Sequence, residues 1–79
     1  MEITVKYYGM LAEITGQSTE ILTFAENVSV GKFKEKILSL YPEMTSKKFK
    51  VAVNLHISDD DILIDSGSEI ALLPPFAGG

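Results

Sequence analysis

The sequence predicts an α+β domain, with a mixed sheet of four to five strands packed on one main helix. The chain has 79 residues, enough for one domain with a single modest core. Alternation of apolar and polar residues with period two recurs along it, and β-branched and aromatic residues fill the apolar positions, as in half-buried strands. One segment instead has the three- and four-residue apolar spacing of a helix.

The residue pattern in the first third of the chain predicts two strands with a short helical segment between them. In ITVKYYG, residues 3–9, β-branched and aromatic residues alternate with polar ones, which places Tyr8 on the face opposite to Tyr7. A segment of one or two helical turns is expected from Met10 to Ile14. The second strand is expected over residues 20–25, where Ile, Leu, Thr and Phe favour a pleated surface.

The main helix is predicted in NVSVGKFKEKILSLYP, residues 27–42. Ser29 is a suitable N-cap, and Pro42 lies where the helix must stop. The predicted core-facing stripe follows steps of three and four residues: Val30, Phe33, Ile37 and Leu40.

The last third predicts two more strands. A third strand is expected over residues 49–56, and the last over 69–73, where Pro74 must end the pairing because it has no N–H to donate. Turns are expected at 58–61 and 65–68. The resulting order, β-β-α-β-β with one helix across one sheet, is that of the β-grasp. Residues 1–79 are therefore predicted to form a single domain, with 74–79 an extended, flexible tail.

Composition excludes several classes of function. There is no cysteine, which excludes a disulfide framework, a thiolate zinc site and a cysteine persulfide on this chain. The net charge is −4 and arginine is absent, which argues against a nucleic-acid partner. No apolar run approaches the ~20 residues of a membrane span, and the start has no signal-peptide pattern. The cytoplasm is the expected location.

The charge is unevenly distributed along the chain. Every lysine except Lys6 lies between residues 32 and 50, whereas most acidic residues lie outside that range. Such asymmetry can orient a domain as it approaches a partner. Two ordinary solvated faces are the simpler interpretation.

No catalytic or metal-binding motif is found. His56 is the only histidine, and a lone strand histidine is far more often a surface residue than a metal ligand. Asp59, Asp60 and Asp61 lack the spacing of a calcium loop and are interpreted as a turn. No nucleophile stands beside a base in a known pattern. We therefore expect no enzyme activity from the chain alone, no bound metal and no bound cofactor.

The C-terminal segment, LLPPFAGG, is different. Gly78 and Gly79 carry no side chains, so a carboxylate at their end could pass through a narrow channel into another protein's active site. Pro74 and Pro75 favour an extended exit from the sheet. Phe76 would be an apolar anchor, and Ala77 adds little bulk. The predicted working group is the Gly79 carboxylate.

The whole chain resembles the MoaD and ThiS family of sulfur carriers, prokaryotic relatives of ubiquitin. Pro-Pro-Phe-Ala-Gly-Gly is similar to the Pro-Pro-x-x-Gly-Gly ending of MoaD, the small subunit of molybdopterin synthase. The pattern is also similar at Tyr7-Tyr8-Gly9, at Ala52-Val53-Asn54 and at Gly67-Ser68-Glu69-Ile70. Ala12 departs from it, because many members have an arginine there.

The resemblance implies a mechanism that needs partner proteins. An adenylyltransferase of the ubiquitin-activating type would consume ATP to adenylate Gly79, and sulfur would then replace AMP to give a thiocarboxylate. The tail would enter the large subunit of molybdopterin synthase, in an expected heterotetramer, and donate the sulfur to a pterin precursor of the molybdenum or tungsten cofactor. Catalytic residues would belong to the partners.

Other functions stay open at this point. The chain could carry sulfur for thiamine or tRNA thiolation, or be a ubiquitin-like modifier joined to lysines through Gly79. It could also be an adaptor in which the two terminal glycines are incidental.

The surface expected to bind a partner is the outer face of the sheet. Strand alternation puts Leu73 on the face opposite to Ile70 and Leu72, and it puts Tyr8 on the same outer face. The resemblance implies partner contacts at these two positions. With Pro75 and Phe76 they would form an apolar patch that a lone monomer has little reason to expose.

Overall fold

The computed structural model describes residues 1–25 and 28–74. Within these residues a five-stranded mixed sheet packs on one main helix, and a two-stranded ribbon lies apart from the sheet. The elements are β1 (Glu2–Tyr7), α1 (Met10–Thr15), β2 (Thr19–Thr23), β3 (Val28–Ser29), α2 (Val30–Leu40), a 3-10 helix (Pro42–Ser46), β4 (Lys50–Val53), β5 (His56–Ile57), β6 (Leu63–Ile64) and β7 (Glu69–Leu73). The predicted fold class is confirmed.

The sheet has the strand order β2-β1-β7-β4-β5. The first and last strands of the sequence are neighbours and run parallel, with Val5 opposite Ile70 and Tyr7 opposite Leu72. All other pairs in the sheet are antiparallel. Because β7 lies between β1 and β4, the chain leaves the sheet from its central strand.

The core lies between α2 and one face of the sheet. The helix contributes Val30, Phe33 and Ile37, all fully buried. The strands contribute alternate residues, as the period-two pattern predicts: Ile3, Val5 and Tyr7 from β1, and Ile70 and Leu72 from β7. Fully burying an aliphatic or aromatic side chain of this size contributes about 1.5–3 kcal/mol.

The helix begins as predicted, but its predicted stripe is one residue too long. The Ser29 Oγ accepts a hydrogen bond from the backbone N–H of Lys32 at 3.2 Å, which is an N-cap. Leu40, expected in the core, is 42% exposed. It is the last residue of α2, and the chain then turns into the 3-10 helix, where Met44 is fully buried.

The predicted third strand over residues 49–56 is wrong in its second half. The structure has a hairpin instead, in which Asn54 and Leu55, with φ of 48° and 74°, join β4 to β5. Leu55 of the turn is apolar and continues the sequence alternation of Val51 and Val53, and the Asn-Gly signal of such a turn is absent, so the pattern alone does not reveal the hairpin. Asn54 stabilises the turn, because its Oδ1 accepts a hydrogen bond from the Glu69 N–H at 3.0 Å.

Smaller elements also differ from the prediction. The second strand occupies Thr19–Thr23 rather than residues 20–25. The β3–β6 ribbon was not predicted, since two residues per strand are too few to show a period. The last strand, Glu69–Leu73, is as predicted. No helix in residues 1–25 and 28–74 is long and apolar enough to cross a membrane.

Candidate functional site: the exit of the C-terminal segment

The C-terminal segment leaves the sheet between two strands that fix its direction. Leu72 lies opposite Tyr7 of β1, and Leu73 lies opposite Lys50 of β4. The carbonyl oxygen of Leu72 also accepts a hydrogen bond from the Tyr8 N–H at 3.2 Å. Pro74 follows, and because it has no N–H the ladder ends there. We call this place the exit.

Gly9 allows the β1–α1 turn to approach the exit closely. Its φ of 58° and ψ of −134° lie in a region that residues with a side chain rarely adopt. A Cβ built on Gly9 would lie 3.2 Å from the Cγ of Pro74. The backbone conformation therefore favours glycine, a Cβ here would have to displace Pro74 by a few tenths of an ångström, and the turn packs closely on Pro74.

The outer face of the sheet carries a group of apolar side chains beside the exit. Ala52 lies directly opposite both Ala71 and Ile57, so these three share one face. Leu73 belongs to the same face by alternation, and Tyr8 follows the core residue Tyr7 at the end of β1. We call the group Tyr8, Ala52, Ile57, Ala71 and Leu73 the outer apolar face.

The outer apolar face has a low centre and exposed flanks. Ala52 is only 4% exposed, because its short side chain lies low on the sheet. Tyr8 is 45% exposed and Ile57 58%, and Leu73 is partly exposed. Bulky apolar side chains that flank a shallow floor are suited to contact with another protein.

Charged residues surround the outer apolar face. The Lys6 Nζ lies 3.3 Å from a Glu69 carboxylate oxygen, joining β1 to β7 across the same face, and both side chains are about half exposed. Lys50 is exposed beside Leu73. An apolar centre with a charged margin is the common arrangement of a protein–protein contact.

A hydrogen-bonded network beneath the sheet holds the end of β1. The Tyr7 hydroxyl donates to Glu20 Oε1 at 2.6 Å, and the Tyr41 hydroxyl donates to the same oxygen at 2.8 Å. Gln17 Nε2 donates to the Tyr41 hydroxyl at 2.7 Å. The two rings meet edge to face with centroids 6.1 Å apart. We call Tyr7, Gln17, Glu20 and Tyr41 the tyrosine network.

The tyrosine network keeps both phenols protonated. Burial raises the pKa of Tyr7 well above its ordinary value, and hydrogen bonding to Glu20 raises it further. Burial and Glu20 also raise the pKa of Tyr41. A phenolate would lose its bond to a carboxylate and would be poorly solvated. The network therefore fixes Tyr7, next to which Tyr8 reaches the outer face.

The acidic turn has a structural role. The Asp60 carboxylate accepts a hydrogen bond from Lys34 Nζ at 2.7 Å. The backbone carbonyl of Asp60 accepts a hydrogen bond from the Gly31 N–H at 2.9 Å. The Asp59 carbonyl accepts from the Ile62 N–H at 3.1 Å. These bonds confirm the turn and join it to α2. In the described part of the chain, no group of His, Cys, Asp and Glu side chains is arranged to hold a metal ion.

The structure places some of the predicted site residues and leaves others outside its description. Tyr8, Leu73 and Pro74 lie together at the exit. Pro75, Phe76, Ala77, Gly78 and Gly79 lie outside the described residues, so their roles stay predictions. Sequence reasoning missed Ile57, because the hairpin that brings it to the outer face was interpreted as a strand. It did not assign Gly9 to the site, although this glycine directly follows a strand and belongs to the Tyr7-Tyr8-Gly9 stretch that resembles the family.

Comparison with known proteins identifies relatives of the whole chain. The ThiS family model matches residues 5–79. The molybdopterin synthase sulfur carrier subunit of Homo sapiens is 25% identical to this chain over an alignment of 83 residues. The alignment covers 99% of this chain and 94% of the human protein.

Solved structures share the fold at lower identity. A putative molybdopterin converting factor subunit 1 from Pyrococcus furiosus has a TM-score of 0.90 at 19% identity and covers 96% of this chain and 99% of its own. Small archaeal modifier protein 1 of Haloferax volcanii has a TM-score of 0.83 at 21% identity, with 95% and 98% covered. In a complex of subunits 1 and 2 of the molybdopterin-converting factor from Helicobacter pylori, the matching chain has a TM-score of 0.70 at 23% identity, with 100% of both chains covered.

Proposed function

Because the chain belongs to the ThiS family of ubiquitin-like sulfur carriers, we propose that it is the sulfur-carrying small subunit of a molybdopterin synthase. The observation that carries this proposal is the course of β7. It runs through the centre of the sheet and ends at Leu73, beside the outer apolar face, and the family match continues from there through residue 79. A central strand is a firm base for a terminal segment that must enter another protein.

The proposed chemistry takes place at the Gly79 carboxylate. One carboxylate oxygen attacks the α-phosphorus of ATP, which the activating partner binds, and pyrophosphate leaves. The acyl-adenylate has AMP as a good leaving group. A hydrosulfide then attacks the acyl carbon and AMP leaves, so the chain ends in a thiocarboxylate. This chain contributes the acyl group, since it has no cysteine to hold the sulfur.

Sulfur transfer would follow in a second protein, the large subunit. The thiocarboxylate sulfur attacks a carbon of the pterin precursor and displaces an oxygen substituent from it, and water then cleaves the acyl–sulfur bond, which leaves a thiolate on the pterin and restores the carboxylate of the chain. Gly78 leaves room for the approach of the large subunit's active-site groups. The human relative supports this assignment by its name, and the complex of two subunits from Helicobacter pylori supports a partner protein.

The outer apolar face is the proposed contact with that partner. Tyr8, Leu73 and Ile57 would provide the exposed anchors, and Phe76 would extend the contact along the tail. Docking here would place the exit at the edge of the contact, so that Pro74 and Pro75 direct the tail into the partner. Because Gly9 and the tyrosine network fix the exit, little ordering of the sheet at the exit is left to occur on binding.

An assay of sulfur transfer to the pterin precursor tests the proposal. The full chain, prepared with a Gly79 thiocarboxylate, is mixed with the large subunit of molybdopterin synthase and the pterin precursor. We expect molybdopterin to form and the chain to return to its carboxylate form, with a chain lacking the thiocarboxylate as control. Sulfur passing only to a thiamine precursor or to tRNA would contradict the assignment. So would an isopeptide bond to lysine formed in place of sulfur transfer.

A further inference from the structure

A second surface, separate from the outer apolar face, combines positive charge with an apolar floor. An open groove of about 470 Å³ lies between α2 and the start of β4. Its floor is formed by Leu38 and Phe49, which pack partly buried against the core. Its margin is lined with lysines: Lys34, Lys47, Lys48 and Lys50. We call it the lysine groove.

The charge of the lysine groove is largely unbalanced. Lys34 is paired with Asp60 at 2.7 Å. Within residues 1–25 and 28–74, no ion pair involves Lys47, Lys48 or Lys50. This occurs in a protein of net charge −4, where carboxylates are plentiful. Like charges gathered on one side of an open groove raise the local concentration of an oppositely charged ligand.

The form of the groove favours a peptide over a phosphate. Phosphate sites in proteins commonly use converging backbone N–H groups, glycine-rich loops or arginine forks. Here the cations are ammonium groups on the flexible stems of four lysines, and the floor is apolar. Carboxylates spaced along a chain, with an apolar side chain between them, match this arrangement.

The groove also adjoins the exit. Lys50 lines the groove, and it lies directly opposite Leu73 of the outer apolar face. A protein docked on the outer apolar face could reach the groove without leaving this end of the sheet.

We propose that the lysine groove binds an acidic segment, containing at least one apolar residue, of the protein that receives the C-terminal tail. The identity of that partner rests on the proposed function, whereas the binding of such a segment does not. The contact would orient the domain before the tail enters. Binding should weaken as salt rises, because the unpaired lysines are exposed.

A peptide titration tests the inference without any sulfur chemistry. The probe is a capped heptapeptide of five glutamates and two leucines, and the reference probe has glutamine in place of glutamate. Backbone amide shifts of the full chain are followed at low and high salt. We expect the changes in amide chemical shift to be concentrated at residues 34–38 and 47–50. The glutamine probe should bind at least about tenfold more weakly than the glutamate probe.

Two double variants of equal charge change provide the control. Lys47→Glu with Lys48→Glu alters the groove, whereas Lys32→Glu with Lys36→Glu alters exposed lysines of α2 outside it. The first double variant should bind the glutamate probe at least about tenfold more weakly than the wild type, and the second less than about threefold more weakly. Melting temperatures verify that both variants fold.

Several results would overturn the inference. Equal weakening in both double variants would indicate only a general field effect. Equal binding of the two probes would remove the role of charge. Displacement of the peptide by millimolar inorganic phosphate at constant ionic strength would indicate an anion site instead. None of these results depends on whether Gly79 is thiocarboxylated, so a failure here is distinct from a failure of the proposed function.

Discussion

At the scale of single residues, the exit depends on positions with few alternatives. Gly9 has both an unusual backbone conformation and a close neighbour in Pro74. Leu73 lies on the outer apolar face opposite Lys50, and it is only partly buried. The first residue is predicted to matter for stability and the second for binding.

Gly9→Ala should destabilise the fold more than Gly16→Ala. Both glycines have positive φ, but Gly16, with φ 77° and ψ 12°, is in the left-handed helical region, where alanine costs about 1–2 kcal/mol, whereas Gly9, with φ 58° and ψ −134°, lies outside that region and is more strained by a side chain. Only at Gly9 would the new Cβ also press on Pro74, and nothing lies within 4 Å of a Cβ at Gly16. The excess at Gly9 should be about 1 kcal/mol by urea unfolding. Equal losses would show that the turn does not hold the exit.

Leu73→Asp should abolish docking on the large subunit and leave folding nearly unchanged. Truncating or charging a central apolar anchor commonly costs about 2 kcal/mol or more, roughly thirtyfold in affinity. Leu63→Asp is the matched control, because Leu63 is 63% exposed in the β3–β6 ribbon, away from the sheet. Calorimetric titration measures the affinity of both variants for the large subunit. If Leu73→Asp binds as tightly as the control, or unfolds, the outer apolar face is misassigned.

At the scale of the elements, the tyrosine network joins β1, β2 and the end of α2. The carboxylate of Glu20 accepts from both phenols, at 2.6 and 2.8 Å. Each such bond to a charged acceptor contributes about 1.5–3 kcal/mol, so the end of β1 should be among the more rigid parts of the sheet.

The raised pKa of Tyr7 predicts loss of stability at alkaline pH. In the unfolded chain the phenol ionises near 10.0, whereas in the folded protein its pKa lies well above that value. Above about pH 10 the unfolded state therefore releases protons that the folded state retains, and the free energy of unfolding falls as pH rises. The contribution of Tyr7 to the free energy of unfolding is fully present below about pH 10 and is lost as the pH rises above it.

Tyr7→Phe tests this origin. The variant should be about 1.5–3 kcal/mol less stable at pH 8, because Glu20 loses one of its two phenol donors. It should also lose less additional stability between about pH 9 and 11.5 than the wild type, because one shifted group is gone. Urea unfolding across this range gives both values. A parallel pH dependence in the two proteins would exclude Tyr7 as its source.

Much of the element pattern could be predicted from the sequence, for identifiable reasons. The core positions of β1 and β7 follow from strict alternation, and Ser29 and the apolar steps after it define α2. The β4–β5 hairpin could not be predicted, because the turn residue Leu55 is apolar and makes the alternation of residues 51–55 look like one continuous strand. The lysines of the groove could be seen in the sequence, but not the apolar floor that α2 and Phe49 form between them.

The site could be predicted only in part, because several of its residues are brought together by pairing between distant strands. Tyr8 and Leu73 followed from alternation together with a family resemblance. Ile57 joins them only because β5 folds back on β4, so that Ile57 faces Ala52. Gly9 joins them because parallel pairing of β1 with β7 brings the β1–α1 turn to Pro74.

At the scale of the whole molecule, the fold presents one end of its central strand to other proteins. β7 is held on both sides, by β1 and by β4. The outer apolar face lies beside the exit, and the lysine groove adjoins it through Lys50. With the Gly79 carboxylate as the proposed working group, this arrangement would let partners recognise the sheet and act on the tail.

The intact mass of the full chain, after incubation with an activating adenylyltransferase, ATP and sulfide, tests the role of Gly79 most directly. Replacement of one carboxylate oxygen by sulfur should add about 16 Da to the native chain. A variant with one alanine added after Gly79 should stay unchanged, because the channel of the partner is expected to accept only a Gly-Gly end. A native chain that gains no mass, or an extended chain that gains the same mass, would contradict the assignment of Gly79 as the sulfur-carrying group.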